Sequence, residues 1–158
     1  MYRKTAFFFV RTNEAVSCPL CGEVLTHRSW RRRRLTDAED NTVTLMLRRM
    51  NCTKCQRIHH ELPDCVVPYK RHCTETIEAV INGDVKQTPC NVRTIKRLLL
   101  WWKTVASYFL NILKSLAVKY GTPPPVAPSL ASVVRAVVNS NNWICAKTLC
   151  TRSAYESG

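Results

Sequence analysis

Four cysteines in two Cys-x-x-Cys hooks, Cys18-Pro19-Leu20-Cys21 and Cys52-Thr53-Lys54-Cys55, are the residues of this chain best suited to chemistry. Thiolates are soft ligands, and a two-residue gap lets one tight turn aim both at a single ion. Two such hooks complete the closed tetrahedron of a structural zinc site. Gly22 follows the first hook and supplies a backbone free to enter the left-handed region there. Residues 22–51 separate the hooks, more than the common interval of about 15–20 residues. That length suits a zinc ribbon, in which each hook caps a β-hairpin and the chain between them makes strands. The expected cofactor is Zn2+, one ion held by Cys18, Cys21, Cys52 and Cys55. The competing readings are a pair of disulfides and four unrelated buried thiols. His59 or His60, just past the second hook, could replace a thiolate, although four cysteines already fill the shell.

Compartment decides between metal and disulfide. The chain has 9 cysteines, and an odd count argues against a closed disulfide framework. The apolar run Ala6–Val10 behind Arg3-Lys4 ends at Arg11, short of the roughly 7–15 apolar residues of a secretory signal. It reads instead as a first strand packed on the ribbon. The expected location is a reducing cytoplasm, where thiols stay free for metal. Cys65, Cys73, Cys90, Cys145 and Cys150 stand singly and read as small buried hydrophobes. No Cys–His pair is marked as a nucleophile, so catalytic activity is not expected.

The charge points outward to a polyanion. Lys and Arg number 24 against 11 Asp and Glu, a net charge of +13 over 158 residues. Such a surplus favours nucleic acid or an anionic membrane. Neither Asp nor Glu occurs from Val85 to Tyr155. In the N-terminal half Arg31, Arg32, Arg33 and Arg34 follow Trp30 directly. A run of arginines is often no more than a solvated strand, but beside an aromatic ring the guanidinium fork favours phosphate contact. A second basic feature is the helix start Asn91–Arg97, with Arg93, Thr94, Lys96 and Arg97 turned outward, as recognition helices place such residues at base edges. The plainer reading of that segment is an ordinary basic helix start. Double-stranded DNA is the expected partner, contacted by these eight residues.

The elements that must position these groups follow from periodicity. Trp30–Leu35 and Val43–Met50 read as strands around the acidic turn Asp37–Asn41. Pro63 and Pro68 mark an extended connector. Thr74–Asn82 reads as a helix capped by Thr74. A long helix spans 91–120, with a core stripe Val92, Ile95, Leu99, Trp102, Ala106, Phe109, Leu113, Leu116, Tyr120 and a second stripe Leu98, Trp101, Val105, Tyr108, Ile112. After the stiff Gly121–Pro125 segment a last helix runs 129–139, capped by Ser129. Leu98–Val118 has the length of a membrane span, but Lys103 and Lys114 would each cost roughly 2.5–3.5 kcal/mol at depth, so no membrane is expected. The fold class is α+β: a small N-terminal zinc ribbon of β-hairpins with its connector at 1–73, then a helical, helix-turn-helix-like region at 74–158.

The run Cys18-Pro-Leu-Cys-Gly22, the strand end Leu47–Cys52 with Cys55, and the sequel Ile58–Pro63 with Val67–Arg71 resemble a bacterial zinc-ribbon family of unknown function. That resemblance covers roughly residues 15–155. The ribbon is also similar, over about 18–100, to the N-terminal zinc-binding region of ISL3-type transposases, where a ribbon precedes a helix-turn-helix and a separate catalytic domain. The resemblance implies that Cys18, Cys21, Cys52 and Cys55 are metal ligands. It also implies that Arg93–Arg97 falls where those transposases carry a DNA-reading helix. Their catalytic carboxylates have no counterpart after Asp84 except Glu156. The implied function is a zinc-binding, DNA-binding protein tied to a mobile element or acting as a regulator. The alternative is a zinc-stabilised protein–protein adaptor that forms a homodimer through the long helix.

Overall fold

The computed structural model describes residues 7–12 and 15–143. Ala6, Ile144, Cys145, Lys147, Cys150, Arg152 and Glu156 lie outside the described residues. Four strands come first: β1 (Phe7–Val10), β2 (Thr26–Thr36), β3 (Thr42–Asn51) and β4 (Ile58–His60). Three helices follow: α1 (Thr74–Ile81), α2 (Val92–Tyr120) and α3 (Leu130–Asn139). The expected α+β class, with strands ahead of one long helix, is what the chain forms.

The sheet is built around β3, whose apolar and β-branched residues fit a strand covered on one face. β2 pairs antiparallel with it along its whole length, from Thr26 opposite Asn51 to Thr36 opposite Thr42. The other edge of β3 is shared. β1 runs parallel to residues 44–47, and β4 runs antiparallel to residues 49–51. The acidic turn between β2 and β3 closes on Asp37, whose carboxylate accepts the backbone N–H groups of Glu39 and Asn41.

On one face of the sheet Leu35, Leu45 and Leu47 are buried against Val66 and Cys73 of the connector. The connector is not slack. Val66 enters the sheet core, and the next residue, Val67, enters the helical core. Successive side chains of an extended segment point in opposite directions, so two adjacent valines staple the two layers together. Cys73 N–H donates to Thr36 O and Thr36 N–H to Arg71 O, fixing the connector to the end of β2.

The helical core gathers Ile77 and Val80 of α1, Leu98, Trp101, Val105 and Phe109 of α2, and Val133 and Val137 of α3. Asn91 caps α2 by accepting Thr94 N–H at 2.8 Å. Gly121 ends it at φ 64°, with Thr122 N–H reaching back to Ala117 O. A left-handed residue that lets the chain reach back to the last-turn carbonyls suits glycine. Ser129 caps α3 as expected, accepting Ser132 N–H. α1 differs: Cys73 is its N-cap residue and Thr74 lies inside the helix, its hydroxyl donating to Asp64 O at 2.6 Å.

The stripe of α2 is also displaced. Its buried residues are Leu98, Trp101, Val105, Phe109, Leu113 and Ala117. Val92, Leu99 and Tyr120, expected in the core, are exposed, and Trp102 is only partly buried at its edge. The alternating 3-4 pattern has a period of 3.5, and a straight helix drifts about 20° per heptad against it. Over this length the drift moves the buried line from the second stripe at Leu98–Val105 onto the first stripe at Phe109.

Candidate metal centre

Each hook sits in the turn of a hairpin, and the two turns share one backbone pattern. Cys18 N–H donates to Glu23 O and Gly22 N–H to Cys18 O. In parallel, Cys52 N–H donates to Arg57 O and Gln56 N–H to Cys52 O. The residue after each hook is left-handed: Gly22 at φ 75° and Gln56 at φ 60°. The first turn closes the small bridge Ser17–Val24, and the second joins β3 to β4. β2 leaves the first turn and β3 enters the second, so their register brings the two hooks to one end of the sheet.

The four sulfurs converge there. One Sγ from each of Cys18, Cys21, Cys52 and Cys55 lies within 4.8 Å of all the others. Two contacts cross between the hooks, Cys18–Cys55 at 3.6 Å and Cys21–Cys52 at 3.4 Å. A metal–sulfur bond of about 2.3 Å in a tetrahedron sets a sulfur–sulfur edge of about 3.8 Å. The cluster is near that size. No disulfide joins them. Cys18 and Cys52 are buried, with Leu25 and Met50 packed beside them. Thiolates this close repel one another strongly unless a cation lies between them. The four cysteines could therefore hold a metal ion.

The thiols are unlike before metal enters. The Cys55 backbone N–H, at 3.5 Å from Cys52 Sγ, is the largest influence pulling the Cys52 pKa down to about 7. Burial first, and then the neighbouring Cys52, push Cys55 up to about 12. His59 is buried on β4, and its Nε2 lies 3.4 Å from Cys18 Sγ. It contacts the Cys18 sulfur from outside the four-cysteine set, where an N–H can share a thiolate's charge. His60 points to the other face, towards Arg31, Arg49 and Arg33, with its pKa lowered to about 4, chiefly by burial.

The expected DNA contacts lie on two elements. Arg31, Arg32 and Arg34 are exposed along β2. Arg33 is engaged within the fold: its Nη2 donates to Val67 O at 3.1 Å and to Lys70 O at 2.9 Å. On α2, Arg93, Lys96 and Arg97 are exposed, and Thr94 is half-buried. The role of Arg33 was hidden in the sequence, because nothing local in the arginine run tells which member turns towards the connector. His59 was expected near the cysteines, but its contact with Cys18 depends on the β3–β4 register.

Fold and site together define a two-knuckle, four-cysteine β-module joined to a three-helix layer. A family model described as a domain of unknown function (DUF6431) matches residues 18–98, just over half of the chain, and the protein belongs to that family. The match opens on Cys18, the first cysteine of the cluster, and stops at Leu98, the first buried residue of α2. It falls short of the roughly 15–155 expected from the resemblance. No curated protein and no solved structure matches the chain. Among the described residues no helix is long and apolar enough to cross a membrane.

Proposed function

We propose that this protein is a zinc-stabilised, double-stranded-DNA-binding module without catalytic activity of its own, acting in the cytoplasm beside a mobile element or as a regulator. The observation that carries the DNA reading is the first turns of α2. Asn91 fixes the helix start, and Arg93, Lys96 and Arg97 stand exposed around it. No acidic residue lies between Asp84 and Tyr155 to neutralise them. α1 packs against α2 through Ile77 and Val80. In a helix-turn-helix arrangement α1 would cross the backbone while the start of α2 enters the major groove. Residues 82–91 make a longer turn than that motif usually has. Arg31, Arg32 and Arg34 add phosphate contacts in this reading.

Zinc suits a closed set of four thiolates with no open position. It also stabilises a β-module whose own core is small. Elemental analysis of purified protein should find one zinc per chain, and Cys52→Ser should lose it. A visible thiolate-to-metal absorption would indicate iron instead.

The rival reading is an adaptor that dimerises through α2, favoured by the exposed Val92, Leu99 and Leu100 near its start. Titration of labelled duplex with zinc-loaded protein over a salt series separates the two. DNA binding weakens steeply with salt, whereas an apolar interface persists. Binding to duplex no tighter than that of a neutral control protein at low salt would favour the adaptor.

A further inference from the structure

On the face of the sheet opposite the connector, exposed aromatic and cationic side chains stand around the buried Thr44. Residues opposite each other in a sheet share a face, and faces alternate along each strand. Met46 of β3 is opposite both Phe9 and Arg32, and Thr44 is opposite both Phe7 and Arg34. Trp30, opposite Arg48, forms the next row on the same side. The contacts agree with the register. Phe9 meets Trp30 edge-on with centroids 5.2 Å apart, and the Arg32 guanidinium lies 5.6 Å from the Phe7 centroid. Phe9 is 67% exposed, Phe7 52% and Trp30 36%.

Exposed rings gathered on one face mark a contact surface. The charge around them narrows its occupant. Neither Asp nor Glu occurs in β1, β2 or β3, and Arg32 and Arg34 alternate with the rings. Glu61 is already paired with Arg48, next to Trp30 in the register, at 2.5 Å. A duplex offers phosphates to the arginines but keeps its base faces stacked inside. Unpaired nucleotides offer both, phosphate to guanidinium and base to ring.

We propose that this sheet face binds single-stranded nucleic acid by stacking bases on Phe7, Phe9 and Trp30 while Arg32 and Arg34 hold the backbone. This rests on the nucleic-acid reading above and assigns unpaired bases to the rings of this face, which a duplex does not use, while Arg32 and Arg34 meet the phosphates of either ligand and duplex bases are left to the start of α2. Two or three rings give room for about two or three stacked bases.

The test uses the full metal-loaded chain, labelled oligothymidylate of about 15 nucleotides and a blunt duplex of the same length. Oligothymidylate should bind, and Trp30→Ala and Phe9→Ala should each weaken it about 5- to 100-fold. Both should leave duplex affinity unchanged, and Trp30→Phe should keep most of the single-strand affinity. Arg93→Ala should show the converse pattern. Metal content checks that each variant is folded, and Phe9→Ala stands in should Trp30→Ala fail that check. Folded variants that bind oligothymidylate as wild type does overturn the inference. Duplex binding without single-strand binding overturns it and leaves the broader reading standing, whereas silence of both ligands at low salt removes both. Capture by anionic vesicles, or a dimer that conceals Trp30, in place of oligothymidylate binding would assign the face to a lipid surface or a second copy and overturn it too.

Discussion

Gln56 holds in the second knuckle the left-handed place that Gly22 holds in the first. A residue with a Cβ is strained there by roughly 1–2 kcal/mol, partly offset by the Gln56 side-chain bond to Thr53 O at 2.8 Å. Gln56→Gly should therefore raise stability by about 0.5–1 kcal/mol, read as a higher urea midpoint with unchanged metal content; a fall would show that the side-chain bond outweighs the strain. His60 acts in the opposite sense. The folded state keeps it neutral down to about pH 4 through burial and the nearby Arg31 and Arg49, whereas an ordinary histidine takes its proton near 6.5. Below pH 6.5 the unfolded chain binds this proton and the native chain does not, so stability falls from there towards pH 4. His60→Gln should flatten the slope in that window relative to wild type, measured by denaturation at fixed metal load. The hooks were legible in the sequence because the spacing itself is the chemistry. Gln56 and Arg33 were not, because their roles depend on a turn conformation and a distant connector, and which of His59 and His60 faces the cysteines waited on a strand register.

At the scale of elements, the helices and β3 were legible to within a residue or two, because caps and turns are local: Asn91, Ser129, Gly121 and Asp37 each mark a boundary through their own hydrogen bonds or backbone; β2 starts four residues ahead of the expected Trp30, and the short β4 was not foreseen. The facing of α2 was not, since a 3.5-residue stripe and the 3.6-residue helix part company over eight turns. The difference is measurable. Phe109 is fully buried between Trp101 and Trp143, with ring centroids at 6.3 and 4.9 Å. Phe109→Ala should cost about 3–5 kcal/mol. Leu99→Ala, on the face first expected to be core, should stay within about 0.5 kcal/mol. Urea denaturation of both variants decides it, and equal costs would mean that Leu99 is covered by a partner in solution. The connector gives a second case. Two prolines announce an extended segment, but only the packed structure shows Val66 and Val67 entering different cores.

For the whole molecule, the layers are tied by few but specific links. Besides the two valines, Arg135 pairs with Asp64, and Lys70 lies 4.5 Å over the Trp101 ring. Arg33 belongs to this set, because its hold on Val67 O and Lys70 O fixes the turn that carries Lys70 to Trp101. Four adjacent arginines that look equivalent in the sequence should therefore behave in two ways. Arg32→Ala with Arg34→Ala removes exposed charge only. Stability should change by no more than about 0.5 kcal/mol, and nucleic-acid affinity should drop for all sequences alike, as phosphate contacts do. Its salt slope should fall by about two units. Arg33→Ala takes from Lys70 O its side-chain donor and leaves Val67 O only the Lys70 N–H, and should lower stability by roughly 1–3 kcal/mol, with the salt slope of the folded fraction unchanged. If six or more phosphates are neutralised by the wild-type protein, its affinity should fall about 10³-fold between 50 and 200 mM salt. The paired measurements are a denaturation curve and a salt series for each variant. An Arg33→Ala protein of wild-type stability that has lost one unit of salt slope would place this guanidinium on phosphate, and the connector would then be held by its valines alone.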